Sequence, residues 1–411
     1  MTSQQTTAAG SSSSSSSPIP TFGVEWEFYA AFYQPDEDEG DETVNEILSA
    51  YPGTIIVPPK VKEVRLYVRQ QVVATLRDNG VDVNPLDKQG KVAVPPAGPQ
   101  PHRFHLNTAN GEYFRWSLTT DGSLTNAWIG NRDAPPLEYK LGYTGLELVS
   151  PAMRDEDSSY RELEEVVDLL KARCRVIANV TCGLHVHAAF GLDPIPFAGL
   201  RRCAALLFAV DPVVTAEIHP RHRRDNTFAR PVRTQSNAAM GWTAREALDA
   251  YQELQHSHFG WFRERDPRPD VPIADAVREI LACSSSGPVC WMMATSFTQG
   301  NYDFMRFAHN RNPTLEFRQH EGTVDAKRMV AWARFCTGIL RYAVQQLTDE
   351  KLTEEVVPFC DAAEKDKSGK SHLYELLESF GMADQARGLG LQPDGQRKVS
   401  ATQRVDLTLD D

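Results

Sequence analysis

The sequence predicts an α+β protein built on a curved, mainly antiparallel β-sheet with helices packed against it. Strand-like segments with alternating apolar residues are separated by single amphipathic helices. The chain has neither the regular strand–helix alternation of a parallel sheet nor a glycine-rich turn after its first strand. It also shows no internal repeat period. These observations favour an antiparallel sheet over a parallel nucleotide-binding fold.

The composition is that of a globular chain, with 411 residues, 41% of them hydrophobic and 24% charged. No apolar run approaches the ~20 residues that cross a bilayer, so no membrane partner is expected. The formal net charge of −12 argues against a nucleic-acid partner, which would need a basic surface. Met1–Pro20 lacks the features of a secretory signal, and the seven cysteines form no C-x-x-C pair. We therefore expect a cytoplasmic protein.

The chain divides into three parts by composition. Residues 1–19 are expected to form a disordered tail, because this serine-rich segment cannot bury apolar surface. A main domain is expected over residues 20–347, with a loop-rich insertion at about 35–110. Residues 348–411 are expected to form a C-terminal extension.

The elements follow from apolar periodicity. Alternating patterns predict strands at Thr21–Tyr33, Tyr113–Thr119, Leu146–Val149, Gly183–Phe190, Tyr302–Arg306 and Thr314–Gln319. Helical spacing predicts helices at Val61–Arg77, after Ser158 or Ser159 as N-cap, and near 195–215, 243–258 and 325–347. Thr243 and Glu246 have the spacing of a capping box. Asp36–Glu42 and residues 84–101 are predicted to be loops.

The first strand carries two glutamates, Glu25 and Glu27, in the sequence G-V-E-W-E. On a strand they point to the same face about 6.6–6.8 Å apart. Two carboxylates on an otherwise apolar strand repel each other unless a cation lies between them. A solvated edge of the sheet is the alternative, and the flanking Phe22 and Phe28 make it less favourable.

Three further predicted strands carry charged or metal-binding side chains on one face. The sequence G-L-H-V-H places His185 and His187 on the same face of one strand. Such a pair can bind a metal or a nucleotide, and the alternative is that both are core residues. The sequence L-E-F-R places Glu316 beside Arg318, for which a simple ion pair is the alternative. Glu147 interrupts the apolar strand of E-L-V-S-P. Together these charges would be unpaired in a core without divalent cations and phosphate, so the set predicts a metal–phosphate site.

The ordered motifs G-x-E-x-E, E-L-V-S-P, G-x-H-V-H and E-F-R resemble those of the amidoligases in the glutamine synthetase and glutamate–cysteine ligase superfamily. Among these, the chain resembles the fungal amidoligase-like proteins, over roughly residues 21–345. The resemblance implies the fold of the glutamine synthetase catalytic domain. It also implies an ATP- and Mg²⁺-dependent (or Mn²⁺-dependent) carbon–nitrogen ligase. Such an enzyme joins a carboxylate to an amine through an acyl phosphate and releases ADP and phosphate.

The resemblance also implies roles for the motif residues. Glu25, Glu316 and His185 would hold the cation that bridges the phosphates of ATP. Glu27 and Glu147 would hold a second cation near the acceptor substrate. The substrates would be a small-molecule or peptide carboxylate and an amine. Their identities, the general base and the oligomeric state are left open by the sequence.

The remaining roles concern nucleotide and phosphate. By the same resemblance, His187 would face the nucleotide and Arg318 would contact the transferred phosphoryl group. Ala189 departs from the family pattern, because glutamine synthetase has a serine there that contacts the nucleotide. Arg230 and Arg233, beside the basic sequence R-H-R-R, are candidates for binding phosphate or the substrate carboxylate.

The residues expected to act in catalysis are Arg318, Glu316, Glu27, Arg233 and Arg230, and those expected to bind the nucleotide are His187, Arg318 and Arg233. A second acidic ligand near Glu147 could be Asp121 or Glu138.

Two other functions fit parts of this pattern. A two-metal hydrolase acting on an amide or ester would also use His-x-His with several carboxylates, but it does not account for E-F-R. A catalytically inactive nucleotide-binding relative would be expected to have lost some of the charged motif positions. Dependence of turnover on ATP distinguishes the three functions.

Overall fold

A computed structural model describes most of the chain between residues 18 and 393. The described ranges are 18–93, 113–124, 137–191, 194–224, 226–254, 271–295, 300–308, 313–368 and 370–393. The predicted tail (residues 1–19) therefore lies outside the described residues, apart from its last two positions. The predicted loop at 84–101 and the predicted insertion are described only in part.

Among the residues that the structure describes, the sheet contains nine strands. They are β1 (Thr21–Tyr33), β2 (Ile55–Ile56), β3 (Ser117–Thr119), β4 (Gly142–Val149), β5 (Met153–Arg154), β6 (Val176–Ile177), β7 (Gly183–Ala189), β8 (Tyr302–Asp303) and β9 (Leu315–Glu321). Their order across the sheet is β3-β4-β1-β7-β9-β8, and the short strands β2, β5 and β6 pair with β1. Of these pairings, only that of β1 with β2 is parallel. The predicted α+β class with a mainly antiparallel sheet is confirmed.

The helices lie between the strands along the chain and after the last strand. They are α1 (Asp41–Ala50), α2 (Val64–Asp78), α3 (Asp157–Arg173), α4 (Phe197–Ile218), α5 (Arg221–Arg224), α6 (Val232–Gln235), α7 (Ala244–Leu254), α8 (Ile273–Ala282), α9 (Ser286–Met293), α10 (Met305–Ala308), α11 (Ala326–Gln345), α12 (Asp349–Lys351), α13 (Val357–Lys365), α14 (Leu373–Ser379) and α15 (Ala383–Gly388). A π-helical turn, Leu352–Val356, joins α12 to α13. No helix among the described residues is long and apolar enough to cross a membrane.

Alternate residues of strand β1 lie on the two faces of the sheet, and these faces differ in chemistry. Its even-numbered residues Phe22, Val24, Trp26 and Phe28 are at most 2% exposed and belong to the main core. Phe22 stacks on Tyr160 of α3, and α11 packs against both β1 and β7. Burial of each large apolar side chain contributes about 1.5–3 kcal/mol. This packing fixes the strand register, and the odd-numbered positions consequently lie on the opposite face.

Helices α4 and α11 form the centre of the helical layer. Their apolar side chains pack against each other, and α8, α9 and α13 pack onto α4. Fourteen residues of the 22-residue α4 are buried, including the polar Asp211. A helix that is apolar around most of its circumference must be enclosed in this way. This layer covers the apolar face of the sheet, opposite the face that carries the charged residues.

Most predicted elements are confirmed, and a few differ for clear physical reasons. The acidic segment predicted as a loop contains the start of α1 at Asp41, because carboxylates are favourable at a helix N-terminus. The predicted N-cap at Ser158 or Ser159 is wrong, since α3 begins at Asp157 and Ser159 is buried within it. The strand predicted through Arg306 ends at Asp303, where α10 follows. The Thr243 capping box is confirmed by reciprocal hydrogen bonds with Glu246.

Candidate functional site

The register of four neighbouring strands brings the four motifs together on one face of the sheet. Glu27 of β1 lies opposite Glu147 of β4, and Glu25 lies opposite His185 of β7. His187 in turn lies opposite Glu316 of β9. Directly opposed residues in an antiparallel pair have their side chains on the same face. The charged residues predicted from separate segments therefore form one continuous row.

The first acidic cluster consists of Glu25, His187 and Glu316, whose ligand atoms all lie within 4.8 Å of one another. His187 Nε2 lies 3.0 Å from Glu25 Oε1 and 3.8 Å from Glu316 Oε1. Burial opposes ionisation of Glu25, but the neighbouring His187 and His185 outweigh it and hold the pKa of Glu25 well below its usual value. Two carboxylates and an imidazole in this arrangement are suitable ligands for a divalent cation.

His185 lies between this cluster and the other glutamate of β1. Its Nδ1 is 3.3 Å from Glu25 Oε2 and 3.7 Å from Glu316 Oε1, and its Nε2 is 3.9 Å from Glu27 Oε1. The family resemblance implied a metal-ligand role for His185 and a nucleotide-facing role for His187. In the structure, both histidines contact Glu25, and His187 completes the first cluster.

The second acidic cluster consists of Glu27, Asp121 and Glu147, also within 4.8 Å of one another. Glu27 is 3% exposed and accepts a hydrogen bond of 2.5 Å from the amide of Gly183. Burial, with the charges of Glu25, Glu27, Asp121 and Glu316, raises the pKa of Glu147 to about 8. A bound cation would relieve this repulsion.

Asp121 and Glu138 were the two alternatives for an acidic partner of Glu147. Asp121 follows β3 and lies in the second cluster. Glu138 instead pairs with Arg175 at 3.8 Å. The structure thus brings Asp121, and not Glu138, to this cluster.

Arg318 joins the row from β9. Its Nη1 donates to Glu316 Oε1, and its Nε donates to the main-chain carbonyl of Phe228 at 3.3 Å. On the other side of Glu316 lies Asp303 of β8. Burial raises the pKa of the Asp303 carboxyl, and the charge of Glu316 raises it further. The guanidinium of Arg318 thus offsets part of the negative charge at this end of the row.

The other two candidate arginines have different surroundings. The guanidinium of Arg233 pairs with Glu364 of α13 at 3.2 Å and lies over the ring of Phe208, within the helical layer. The structure does not bring this side chain into either cluster. The main chain of Arg230 pairs with Gly300 and accepts a hydrogen bond from Asn301. The carbonyl of Asn301 in turn accepts from the amide of Arg318.

A pocket of about 680 Å³, including the part open to solvent, adjoins the first cluster. Its lining residues come from the ends of β1, β4 and β7 and from the segment before β9, among them Phe22, Glu25, His187, Arg306 and Thr314. Ala189, the departure from the family pattern, also lines it. The pocket therefore offers an apolar wall, a candidate cation site and one arginine.

Arg306 lines the pocket but was not among the site residues predicted from the sequence. It lies on α10, its charge acts on His187 and Asp303, and it forms no ion pair with any residue that the structure describes. The strand predicted over Tyr302–Arg306 would have aligned this residue with the sheet. The turn after Asp303 instead places it at the pocket, which no local sequence pattern indicated.

Gly183 begins β7 at a position where neighbouring side chains leave no room for a Cβ atom. A Cβ atom there would lie 2.7 Å from His185 Nε2 and 3.3 Å from Arg223 Nη2. We expect Gly183→Ala to displace His185, to lower stability by about 1–3 kcal/mol and to weaken Mn²⁺ binding. Gly40→Ala is the control, because a Cβ there meets nothing within 4 Å. Melting curves and Mn²⁺ titrations measure both effects, and an unchanged Mn²⁺ affinity would contradict the expectation.

The sheet and its row of charged residues define a class: an α+β protein whose antiparallel sheet carries two candidate cation sites beside a pocket. The chain matches the family model described as "Putative amidoligase enzyme" over residues 18–258 and 294–340. These ranges cover more than half of the 411 residues, and the chain therefore belongs to this amidoligase family. A search of the curated proteins gave no match. The family indicates a ligase-type enzyme, in agreement with the predicted amidoligase resemblance.

Proposed function

We propose that the protein is an ATP- and Mg²⁺-dependent ligase that forms an amide between a carboxylate and an amine through an acyl phosphate. The observation that carries the proposal is the pair of acidic clusters on neighbouring strands. Arg318 donates a hydrogen bond to Glu316 of the first cluster. Phosphoryl transfer needs this combination, because its catalysis consists of positioning and of neutralising charge on phosphate oxygens. The amidoligase family of the chain agrees with such a reaction.

The two clusters suit different cations. Glu25 and His187 line the pocket, and together with Glu316 they would hold the Mg²⁺ that neutralises the phosphates of ATP. Mn²⁺ would also suit this mixed oxygen and nitrogen ligand set. Glu27, Asp121 and Glu147 offer oxygen ligands only, which hard cations such as Mg²⁺ prefer. We assign them to a second cation near the acceptor carboxylate.

The proposed reaction has two steps. An oxygen of the substrate carboxylate attacks the γ-phosphorus of ATP, and the bond to the β-γ bridging oxygen breaks to release ADP. The amine nitrogen then attacks the carbonyl carbon of the acyl phosphate, phosphate leaves, and the nitrogen loses a proton. Arg318 would stabilise charge on the phosphoryl group during transfer, since its fork of donors suits phosphate oxygens.

Arg306 gives a direct test of the nucleotide pocket. We expect Arg306→Ala to weaken binding of Mg·ATP about 10-fold or more, because a hydrogen bond to a charged group contributes about 1.5–3 kcal/mol. Arg278→Ala is the matched control, since Arg278 is a surface arginine whose side chain is 67% exposed. Calorimetry of both variants with and without Mg²⁺ measures the change. Equal affinities in the two variants would contradict this assignment of the pocket.

The proposal as a whole is tested by following ADP release across a panel of amino acids and amines, with amide products detected by mass spectrometry. A ligase releases ADP at full rate only when both substrates are present. Amide or ester hydrolysis without ATP would instead establish a two-metal hydrolase. Binding of Mg·ATP without turnover on any pair of substrates would indicate an inactive nucleotide-binding relative.

A further inference from the structure

We infer that Arg223 is a positioning residue that holds a bulge in β9 and thereby orients Arg318 for phosphoryl transfer. The inference rests on the proposed function for its activity measurement, and a second measurement tests it independently. Arg223 lies on α5, and its charged side chain does not belong to either acidic cluster.

The bulge is visible in the register of β7 and β9. Leu184 lies opposite His320, whereas Val186 lies opposite Phe317, with an irregularity between them. Two residues of β9, Arg318 and Gln319, therefore face the single residue His185. A bulge of this kind changes the direction of side chains and interrupts the regular hydrogen bonds between strands.

The bulge changes which side chains face the helices. Gln319 bonds to Thr215 of α4, and the next residue, His320, packs against Trp332 of α11. Two successive side chains of β9 thus point towards the helical layer. Without the extra residue, strict alternation would turn one of them to the opposite face. The bulge therefore sets the position of Arg318 relative to Glu316 and the neighbouring histidines.

Arg223 supplies donors to the carbonyl groups of both bulged residues. Its Nε donates to the carbonyl of Gln319 at 3.1 Å, and its Nη2 donates to the carbonyl of Arg318 at 2.8 Å. The amide of Asn301, whose carbonyl accepts from the amide of Arg318, donates to Arg230 instead. The carbonyl of Arg318 therefore accepts its hydrogen bond from Arg223, and not from the amide of Asn301.

The contact is reciprocal and buried. The side chain of Gln319 donates back to the carbonyl of Arg223 at 3.3 Å, and its Oε1 accepts from Thr215 and Asn301. Arg223 itself is 3% exposed. A guanidinium committed to two main-chain carbonyls acts on the reaction through the strand that it holds. Its planar fork spans two acceptors, which a lysine ammonium cannot do in the same geometry.

The test is a double-mutant cycle in ADP release, with Arg223→Lys and Arg318→Ala made singly and together. We expect Arg223→Lys to lower kcat about 10-fold or more while changing KM for ATP less than about 3-fold. In the Arg318→Ala background the same change should lower kcat by less than about 2-fold. Equal losses in both backgrounds would overturn the inference.

Arg224→Lys is the matched control, because Arg224 also donates to main-chain carbonyls, those of His219 and Ala216 at the end of α4. We expect its kcat to stay close to that of the wild type. Arg223→Gln, which keeps one pair of donors, is a second variant should Arg223→Lys not fold. If neither variant folds, Arg223 is a structural residue and the inference is wrong.

An NMR measurement separates this inference from the ligase proposal. In protein labelled with ¹⁵N-arginine, the Nε–H signal of Arg318 is assigned by its loss in Arg318→Ala. We expect Arg223→Lys to shift this signal, because the bulge and its bond to Phe228 change, and Arg224→Lys to leave it in place. A wild-type protein without ATP-dependent turnover would refute the ligase proposal alone. An unshifted signal in Arg223→Lys would refute the positioning role whatever the activity.

Discussion

Replacing Glu316 by glutamine is expected to abolish ligation by weakening metal-dependent nucleotide binding. Glu316 is 2% exposed and lies in the first acidic cluster. Loss of an outer partner of a metal ligand already costs about 10–100-fold in affinity or activity. We therefore expect loss of a ligand itself to cost at least about 100-fold in Mg·ATP affinity. Calorimetry with Mg²⁺ and with excess chelator measures this difference.

Arg318→Ala is expected to have a different effect on the same site. Arg318 is assigned to the phosphoryl group during transfer, so its loss should reduce kcat about 10²–10³-fold with a smaller change in ATP affinity. The Arg341–Asp155 ion pair joins α11 to the segment before α3 and is the matched control. Arg341→Ala should lower the melting temperature slightly and leave kcat unchanged.

The melting temperature decides whether Glu316 and Arg318 form only a structural ion pair. Glu316→Gln removes one of several neighbouring negative charges but leaves the guanidinium of Arg318 without its carboxylate partner. These effects oppose each other, and we expect the stability of the metal-free protein to change little. A clear loss of stability in both variants, with normal turnover of the folded fraction, would contradict the ligase site.

Four of the site's strands could be predicted from sequence because each combines apolar core residues with charged or histidine residues, which stand two positions apart in three of the four strands. Side-chain direction has period two, so G-V-E-W-E alone places Glu25 and Glu27 together opposite the buried Trp26. The predicted strand Thr21–Tyr33 has the same bounds in the structure. Only the strand register, which is set by long-range packing, was needed to join the four motifs.

Other parts of the site depend on geometry that no local pattern encodes. The bulge at Arg318 follows from a register difference between two strands more than 120 residues apart in sequence. The sequence of neither strand alone predicts it. Asp121 and Glu138 were equivalent as sequence candidates, and only the path of the chain after β3 distinguishes them. Arg223, in the sequence R-H-R-R, could not be distinguished from its neighbours, because burial of one of these three arginines depends on the docking of α5 against β9.

Glu147 is expected to make the stability of the metal-free protein depend on pH. Its pKa is raised to about 8 in the fold from 4.5 in an exposed chain, first by burial and then by neighbouring carboxylates. Between these values the folded state keeps a proton that the unfolded state has lost. The contribution of Glu147 therefore makes stability fall as pH rises through this window, and the effect is complete above about pH 8.

A cation in the second cluster should suppress this dependence, because it replaces the proton on Glu147. In chelator, we expect the melting temperature at about pH 8 to be lower than at about pH 5.5, and saturating Mg²⁺ to reduce the difference. Calorimetry in two buffers of different ionisation enthalpy should detect proton release on Mg²⁺ binding near pH 7.

Glu147→Gln should remove the proton release and this part of the pH dependence, and should reduce turnover about 100-fold or more if the second cation positions the acceptor. Glu162→Gln is the control, since Glu162 accepts a hydrogen bond from Trp116 outside both clusters. Proton release that persists in Glu147→Gln would show that another group titrates, and the second cluster would then lose its assignment as a cation site.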